Sequence, residues 1–303
     1  MCGKVQVLEH WSASDVSLSG EFPRSKVALM INKKPLIVRD HHACVALRIL
    51  SYPGLSLKTI KMPEDSPISM DLLHGELAKT IGGSFVDLRV ALLTLPDAWD
   101  RNLVARMQCL LKWSHSWKRC PRCASPLRMR VSKTAAVCTS CKELYYPPLY
   151  PVASCLVKNP EGTKALLVRH KSSLKSVFTV ISGFAQIGES FAETVRREVA
   201  EEVGVECKDI NAINVSSSWP IPEGSLLCAF EASADSSQKL TVNMDELEAA
   251  EWFTKDEVRQ AFENTRLDPQ LRRLVKVNNA SNFSYIPPLG SIAYQLIERW
   301  LNL

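Results

Sequence analysis

Glu198, Glu201 and Glu202 stand at positions i, i+3 and i+4, so a helix through them carries three carboxylates on one face within a single turn. Like charges that close destabilise a helix unless something neutralises them. A divalent cation does so, because hard cations take carboxylate oxygens and bridge to phosphate. The neighbouring residues specify such a helix. Ser190 and Glu193 form an S-x-x-E capping box at its start. Ala192, Val195, Val199 and Val203 recur at steps of three and four and make a face to bury. Gly204 suits the helix end, and Gly183 and Gly188 let the preceding loop bend tightly. Taken alone, the three glutamates also fit a solvated acidic face with a salt bridge to Arg197.

A second chemistry resides in Cys120, Cys123, Cys138 and Cys141, two C-x2-C pairs separated by fourteen residues. Each two-residue turn can aim two thiolates at one ion, and two such knuckles complete a tetrahedron around zinc. Four thiolates leave no open position, so the zinc is expected to be structural. Leu127, Met129, Val131 and Val137 are too few for an independent core. Metal binding therefore supplies the stability, on the order of 10 kcal/mol or more in small zinc modules. The rivals are disulfides and chance spacing. The use of such a ribbon stays open between nucleic-acid binding and scaffolding.

These groups sit in a chain of 303 residues, long enough for roughly two domains. Apolar residues make up 46% and charged residues 23%, a balance that excludes a mostly disordered chain. No apolar run nears the roughly 18 residues of a membrane helix, so no membrane role is expected. The net charge of +5 is unevenly spread: residues 105–147 hold nine Lys/Arg and one acid, and residues 183–257 hold five Lys/Arg and sixteen Asp/Glu. The basic stretch suits anionic partners and the carboxylates suit divalent metals; solvated faces of opposite sign are the plainer alternative. The other six cysteines (Cys2, Cys44, Cys109, Cys155, Cys207, Cys228) scatter mostly among apolar neighbours, unlike a secreted disulfide framework. A reducing compartment is expected. No signal peptide opens the chain, and Glu9, Asp15 and Glu21 make a poor mitochondrial transit peptide. Leu301-Asn302-Leu303 is not a peroxisomal address, so the expected location is cytoplasmic unless a longer precursor carries its own signal.

Residues 27–31 and 35–38 read as strands joined by a turn at 32–34, and His41-His42 as a loop feature rather than a metal site. Leu103, Met107, Leu110 and Leu111 recur at helical spacing and predict a helix over 97–117, leading into the cysteine segment. Pro147, Pro148 and Pro151 mark a boundary. After it, strands are expected at 152–157, 165–168 and 177–181, a helix at 191–203, and strands near 226–230 and 250–253. A helix from residue 256 and an amphipathic helix over 291–301 follow. Strands and helices mix without a βαβ rhythm, which predicts an α+β fold with a mixed sheet.

Gly183, Glu189, Arg197, Glu198, Glu201, Glu202 and Gly204 fill every defined position of Gly-x5-Glu-x7-Arg-Glu-apolar-x-Glu-Glu-x-Gly-apolar. This pattern resembles the signature of the Nudix hydrolases. The resemblance implies hydrolysis of a nucleoside diphosphate linked to another group, with Mg2+ or Mn2+. It implies Glu198 and Glu202 as the main metal ligands, Glu201 as ligand or base, and Glu189 paired with Arg197 to hold the loop against the helix. It further implies that Ser182, at the family's Ala position, offers a backbone carbonyl to the metal, and that Glu246 is another metal ligand.

Residues 216–226, SSSWPIPEGSL, are similar to the SQPWPFPxS motif of the NADH pyrophosphatase subfamily. Ser216, Trp219, Pro220, Pro222 and Ser225 match; Ser217, Ser218 and Ile221 replace Gln, Pro and Phe, with one extra residue near Gly224. Tyr145-Tyr146-Pro147 resembles the subfamily's YYP, which implies that Tyr146 touches substrate. Pro287 and Pro288 with Ile292 and Ala293 resemble its C-terminal segment, which implies that Ala293 lines the site. By the same resemblance Phe184 and Tyr146 are stacking surfaces for a base, and Ser217, Ser218, Trp219, Pro220, Ile221, Pro222 and Ser225 contact substrate. The replacements at Ser217 and Ile221 leave open the preference between reduced and oxidised dinucleotide.

The resemblance runs from residue 120 to residue 301 and is weaker before residue 97. It implies a Nudix-like N-terminal domain without catalytic residues over 1–104, a helix and zinc ribbon over 105–147, and a catalytic Nudix domain over 148–303. The last is expected to be a mixed-sheet α/β/α sandwich, and the protein a homodimer. The implied reaction is NAD(H) + H2O → NMN(H) + AMP. Removal of NAD caps from RNA breaks the same bond on a larger substrate, and the basic ribbon suits it. A non-catalytic zinc-ribbon RNA-binding protein is the reading from another class; the intact Glu198, Glu201 and Glu202 argue against it.

Overall fold

The computed structural model describes residues 5–8, 26–31, 34–40, 43–46, 83–95, 97–129, 134–173, 176–219, 224–269, 271 and 283–302. The expectations at residues 32–33, His41, His42, Val131, Pro220, Ile221 and Pro222 lie outside the described residues. The chain divides into two compact units, Met1–Pro148 and Leu149–Leu303.

In the first unit, β1 (Val5–Leu8), β2 (Lys26–Ile31), β3 (Lys34–Asp40) and β4 (Ala43–Ala46) lie side by side in that order, and β5 (Gly83–Phe85) pairs with β3. Met30 opposes Pro35 and Ile31 opposes Lys34, so Lys34 belongs to the strand rather than to the expected turn. A short helix, α1 (Leu88–Thr94), precedes α2 (Ala98–Ser116). The predicted bounds of α2 hold because Asp97 caps it, accepting from the Asp100 N–H at 2.8 Å, and Trp117 closes it. Leu103, Met107, Leu110 and Leu111 are all buried, as their spacing requires. The cysteine segment then forms a small antiparallel sheet of β6 (Leu127–Met129), β7 (Ala136–Cys138) and β8 (Leu144–Tyr145).

The second unit is built on one mixed sheet. β9 (Tyr150–Lys158), β10 (Lys164–His170), β12 (Lys208–Trp219), β13 (Ser225–Ser233) and β14 (Leu247–Thr254) lie in the order β12-β13-β9-β10-β14, and β11 (Ile181–Phe184) pairs with β9. The β13–β9 pair is parallel and the other pairs are antiparallel. β9 and β10 read as continuous apolar runs because helices cover both faces. Leu156, Ala165 and Leu167 enter one cluster with residues of α4 (Lys255–Leu267) and α5 (Ile292–Leu301). Cys155, Val157, Leu166 and Val168 enter another with Val195, Val199 and Val203 of α3 (Phe191–Val203). The result is the expected α/β/α sandwich.

Residues 177–181 depart from the expected strand. Val177 and Thr179 make single bridges, to Tyr285 and Val168, and regular pairing begins only at Ile181. Strand β11 instead runs on to Phe184 and sets Ser182, Gly183 and Phe184 against Ser154, Ala153 and Val152 of β9. Gly183 is therefore a strand residue and not part of a bending loop. The bend falls to Gly188, at φ +91°.

Candidate active site

Helix α3 starts and stops where its end residues dictate. The Ser190 hydroxyl accepts from the Glu193 N–H at 3.3 Å, and the Glu193 carboxylate accepts from the Ser190 N–H at 2.6 Å. Gly204 takes the left-handed conformation at φ +70° and closes the last turn. With Val195, Val199 and Val203 buried against the sheet, the glutamate face turns toward the end of β11.

Arg197 organises that face. Its Nε and Nη2 donate to the two oxygens of Glu189 at 2.5 and 3.0 Å, a bidentate pair. Its Nη1 donates to Glu198 at 2.6 Å and to Glu201 at 3.0 Å, and its Nη2 also to the Phe184 carbonyl at 2.8 Å. Glu189 further accepts from the Gln186 N–H and the Thr194 hydroxyl. One guanidinium thus ties residues 184–189 to the helix. The Arg197 contact holds the Glu189 carboxyl down at about 2, while burial raises Glu198.

Glu202 is different. It is 2% exposed, and among the described residues its Oε2 has no hydrogen-bond partner. Burial first, then the charges of Glu198 and Glu246, push its carboxyl up to about 8. Glu246 is brought here by the segment after β13, where the Thr241 and Asn243 N–H groups donate to the Val203 and Glu202 carbonyls at 2.9 and 2.8 Å. A buried carboxylate oxygen without a donor is costly as it stands. Among the described residues only the four cysteines gather three or more ligand atoms within 4.8 Å of one another, so the oxygens of Glu198, Glu202 and Glu246 are not drawn together as a set. The all-oxygen chemistry of these carboxylates still suits a hard divalent cation, which would satisfy the Glu202 Oε2 and offset the repulsion.

Gly183 has a steric reason to be glycine. A Cβ built there would land on the Glu198 carboxylate. Gly183→Ala is therefore expected to displace the Glu198 carboxylate and lower activity by at least about 10-fold with little loss of stability, because the atoms in the way are the far end of a flexible side chain. Steady-state kinetics and a thermal melt check this. Next to it, the Ser182 hydroxyl donates to that of fully buried Ser154 at 2.9 Å, fastening β11 to β9.

The remaining expected substrate contacts fall into three groups. Ser217, Ser218 and Trp219 end β12, opposite Leu227, Leu226 and Ser225 of β13; Pro220, Ile221 and Pro222 lie outside the described residues. Phe184 is exposed at the end of β11, whereas Ala293 is buried in the cluster beneath α5. Tyr146 is exposed and belongs to the first unit. One residue outside the expected set stands beside Phe184: Tyr150, exposed, in edge contact with it. Its only sequence signal was an aromatic between Pro148 and Pro151, read as boundary.

In the first unit the four cysteine sulfurs all lie within 4.8 Å of one another. Cys120 and Cys141 sulfurs are 3.7 Å apart, and those of Cys123 and Cys138 are 3.4 Å apart. Both are far beyond the roughly 2.05 Å of a disulfide and near the edge of a tetrahedron with metal–sulfur bonds of about 2.3 Å. Each knuckle ends on a left-handed residue, Ala124 at φ +58° and Lys142 at φ +65°. Hydrogen bonds from Ser125 hold the Cys123 thiol down at about 6, which favours a thiolate ligand. The Tyr145 hydroxyl lies 3.1 Å from the Cys120 sulfur and stacks toward Trp117 of the preceding helix end.

A family model described as "NUDIX domain" matches residues 148–276. The chain is 38% identical to the NAD-capped RNA hydrolase ndx-9 of Caenorhabditis elegans over 99% of this chain and 89% of that protein. It is 39% identical to the human NAD(P)H pyrophosphatase NUDT13, mitochondrial, over 78% of this chain and 64% of that protein. The NAD-capped RNA hydrolase NudC of Chromobacterium violaceum is 36% identical over 57% of this chain and 63% of that protein. The chain thus spans just under two thirds of the human and bacterial relatives. Among the described residues no helix is long and apolar enough to cross a membrane.

Proposed function

The chain belongs to the Nudix hydrolase family, and from that premise we propose that it hydrolyses the pyrophosphate bond of NAD(H), giving NMN(H) and AMP. The observation that carries this reading is the buried, unpartnered Oε2 of Glu202, flanked by Glu198 and the charge of Glu246 at the end of β11. Glu198, Glu202 and Glu246, with the Ser182 carbonyl, would hold a divalent cation, Mg2+ or Mn2+. Bound there, such a cation neutralises charge on the pyrophosphate and makes water a nucleophile at neutral pH. Glu201 has the most exposed of the three α3 carboxylates, which supports it as the group that would take the proton of the attacking water. Arg197 keeps residues 184–189 in place through Glu189 and the Phe184 carbonyl, so the substrate meets a fixed wall rather than a loop. The four cysteines hold a structural zinc. The working form is a homodimer, and the setting is a reducing compartment, the cytoplasm; the unpaired Cys155, Cys207 and Cys228 support the reducing setting alone. The test is a panel of NADH, NAD+ and NAD-capped RNA with Mg2+ and with Mn2+, products identified by mass spectrometry.

A second reading, removal of NAD caps from RNA, is favoured by the basic stretch. Lys118, Arg119, Arg122, Arg128 and Lys142 are all exposed; Arg130 and Lys133 lie outside the described residues. If RNA runs over this surface, each neutralised phosphate releases counterions, and log affinity falls with log[salt] at about −0.7 per contact. NADH has no such tail. For capped RNA, kcat/KM is expected to fall steeply between roughly 50 and 200 mM salt, a range in which several phosphate contacts show clearly. For NADH it should change far less. Replacing Lys118 and Arg128 by Ala should weaken RNA processing and spare NADH. Parallel salt curves for both substrates would leave the ribbon as scaffold.

A further inference from the structure

We infer that Tyr150 determines specificity in this site, forming with Phe184 an aromatic corner that receives one base of the dinucleotide. The inference rests on the pyrophosphatase reading above.

Strand register places the corner. Phe184 opposes Val152 on β9, and Val152 is two residues from Tyr150, so Tyr150 and Phe184 project from the same face of the sheet. On the other side of β9, Ser225 of β13 lies beside Tyr150, and Trp219 of β12 lies beside Ser225. One level along, Ser217 lies beside Leu227, and Leu227 beside Val152. Leu227 packs on the cluster beneath α4 and α5, so this face is the one opposite α3. Gly183 and Ala153 have the other parity, and the Glu198 carboxylate sits over Gly183. Adjacent residues of β11 therefore serve opposite faces: Gly183 meets the carboxylates, and Phe184 meets the aromatic row.

Among the described residues no further strand pairs with β11. A dinucleotide with its phosphates at the carboxylates can turn around this strand and lay a base on the far face. From Trp219 to Phe184 the row crosses three strand spacings of about 4.8 Å, about 14 Å in all, room for a base and its ribose. Tyr150 stands in the middle of it. The backbone there is fixed, because the Tyr150 N–H donates to the carbonyl of Gly224, the residue before β13, at 2.9 Å.

The ring geometry suits a ligand rather than the core. Tyr150 and Phe184 meet at 85° with centroids 6.4 Å apart, and they are 39% and 48% exposed. The core pair Phe178 and Phe253 has similar edge geometry at 5.1 Å but is buried. Two perpendicular exposed rings offer a ligand one flat face and one edge. A flat heterocycle takes both by stacking on the Phe184 face while its edge meets Tyr150, the two arrangements aromatic rings prefer.

The test uses Tyr150→Ala and Tyr150→Phe in the full chain. NADH binding is read from NADH fluorescence in EDTA, without turnover, and KM and kcat are then read with metal. Tyr150→Ala should weaken NADH binding and raise KM by about 3- to 10-fold, as expected for one aromatic contact, with kcat within about 2-fold. Tyr150→Phe should restore both. Inorganic pyrophosphate, which has no base, should inhibit wild type and Tyr150→Ala equally, while the inhibition constant of AMP or of NMN should rise in the variant. Unchanged NADH, AMP and NMN constants in a folded Tyr150→Ala protein overturn the inference alone, as does a variant that changes only the oligomeric state. Wild-type protein that neither binds nor cleaves NADH overturns the pyrophosphatase reading with it.

Discussion

Glu198→Gln and Glu202→Gln should each lower dinucleotide turnover by at least about 100-fold, because under the proposed function each change takes one anionic ligand from the divalent cation that would stabilise the transition state. The fold should survive both changes. Glutamine keeps the shape, and in Glu202 the lost charge is one that burial already penalises. The stability consequence has a definite sign. The Glu202 carboxyl sits at about 8 in the fold against an ordinary value of 4.5, so the folded state prefers its protonated form. Its favourable contribution is complete below pH 4.5 and is lost as pH rises through about 8. In EDTA, Glu202→Gln should therefore melt above wild type at pH 8, with the difference shrinking toward pH 4. Saturating metal should reverse the order, since only wild type has the full ligand set. Melting temperature against pH, with and without metal, reads this out. Near-normal turnover in both variants would remove these residues from the chemistry.

The second large effect concerns the cysteines. Carefully purified protein should contain one zinc per chain that resists mild chelation, whereas the catalytic cation exchanges freely. Cys120→Ser or Cys141→Ser should cost yield and thermal stability heavily, since metal binding carries on the order of 10 kcal/mol of folding free energy in modules of this size. Turnover per folded molecule should change much less. The ribbon's three strands are two or three residues long, and Ala136 and Cys138 are its buried strand positions. Little besides a metal can hold such strands together. Elemental analysis that finds no zinc would contradict the assignment.

What was legible in the sequence follows from interaction range. The two knuckles and the glutamate face are set by spacings of two to four residues, and local geometry translates such spacings directly. α2 and α3 were legible because their caps, Asp97, Ser190 and Gly204, act on the adjacent backbone. β12 was not. Ile210, Ile213 and Val215 are separated by Asn211-Ala212 and by Asn214, and they pack partly against both apolar clusters, so no clean alternation shows. The extent of β11 was misplaced for a related reason. Val177 and Thr179 look like strand residues but bridge to two different partners, and only pairing with β9, about thirty residues earlier, fixes where the strand runs. The glycine at 183 was legible as a special position, but its reason was not. The reason is the approach of Glu198, fifteen residues later, which depends on how α3 lies on the sheet. Tyr150 escaped notice because its partners, Ser225 and Phe184, are defined by register across three strands.

The proposed function stands on cleavage of the bond between the two phosphates of NAD(H). The most direct measurement is mass spectrometry of the products of NADH and divalent metal in 18O-labelled water. The expected products are AMP and NMNH in equal amounts, with one 18O per cleavage on a phosphate, and both should be lost in Glu202→Gln. Release of nicotinamide and ADP-ribose, or intact NADH after prolonged incubation with either metal, would contradict the proposed function.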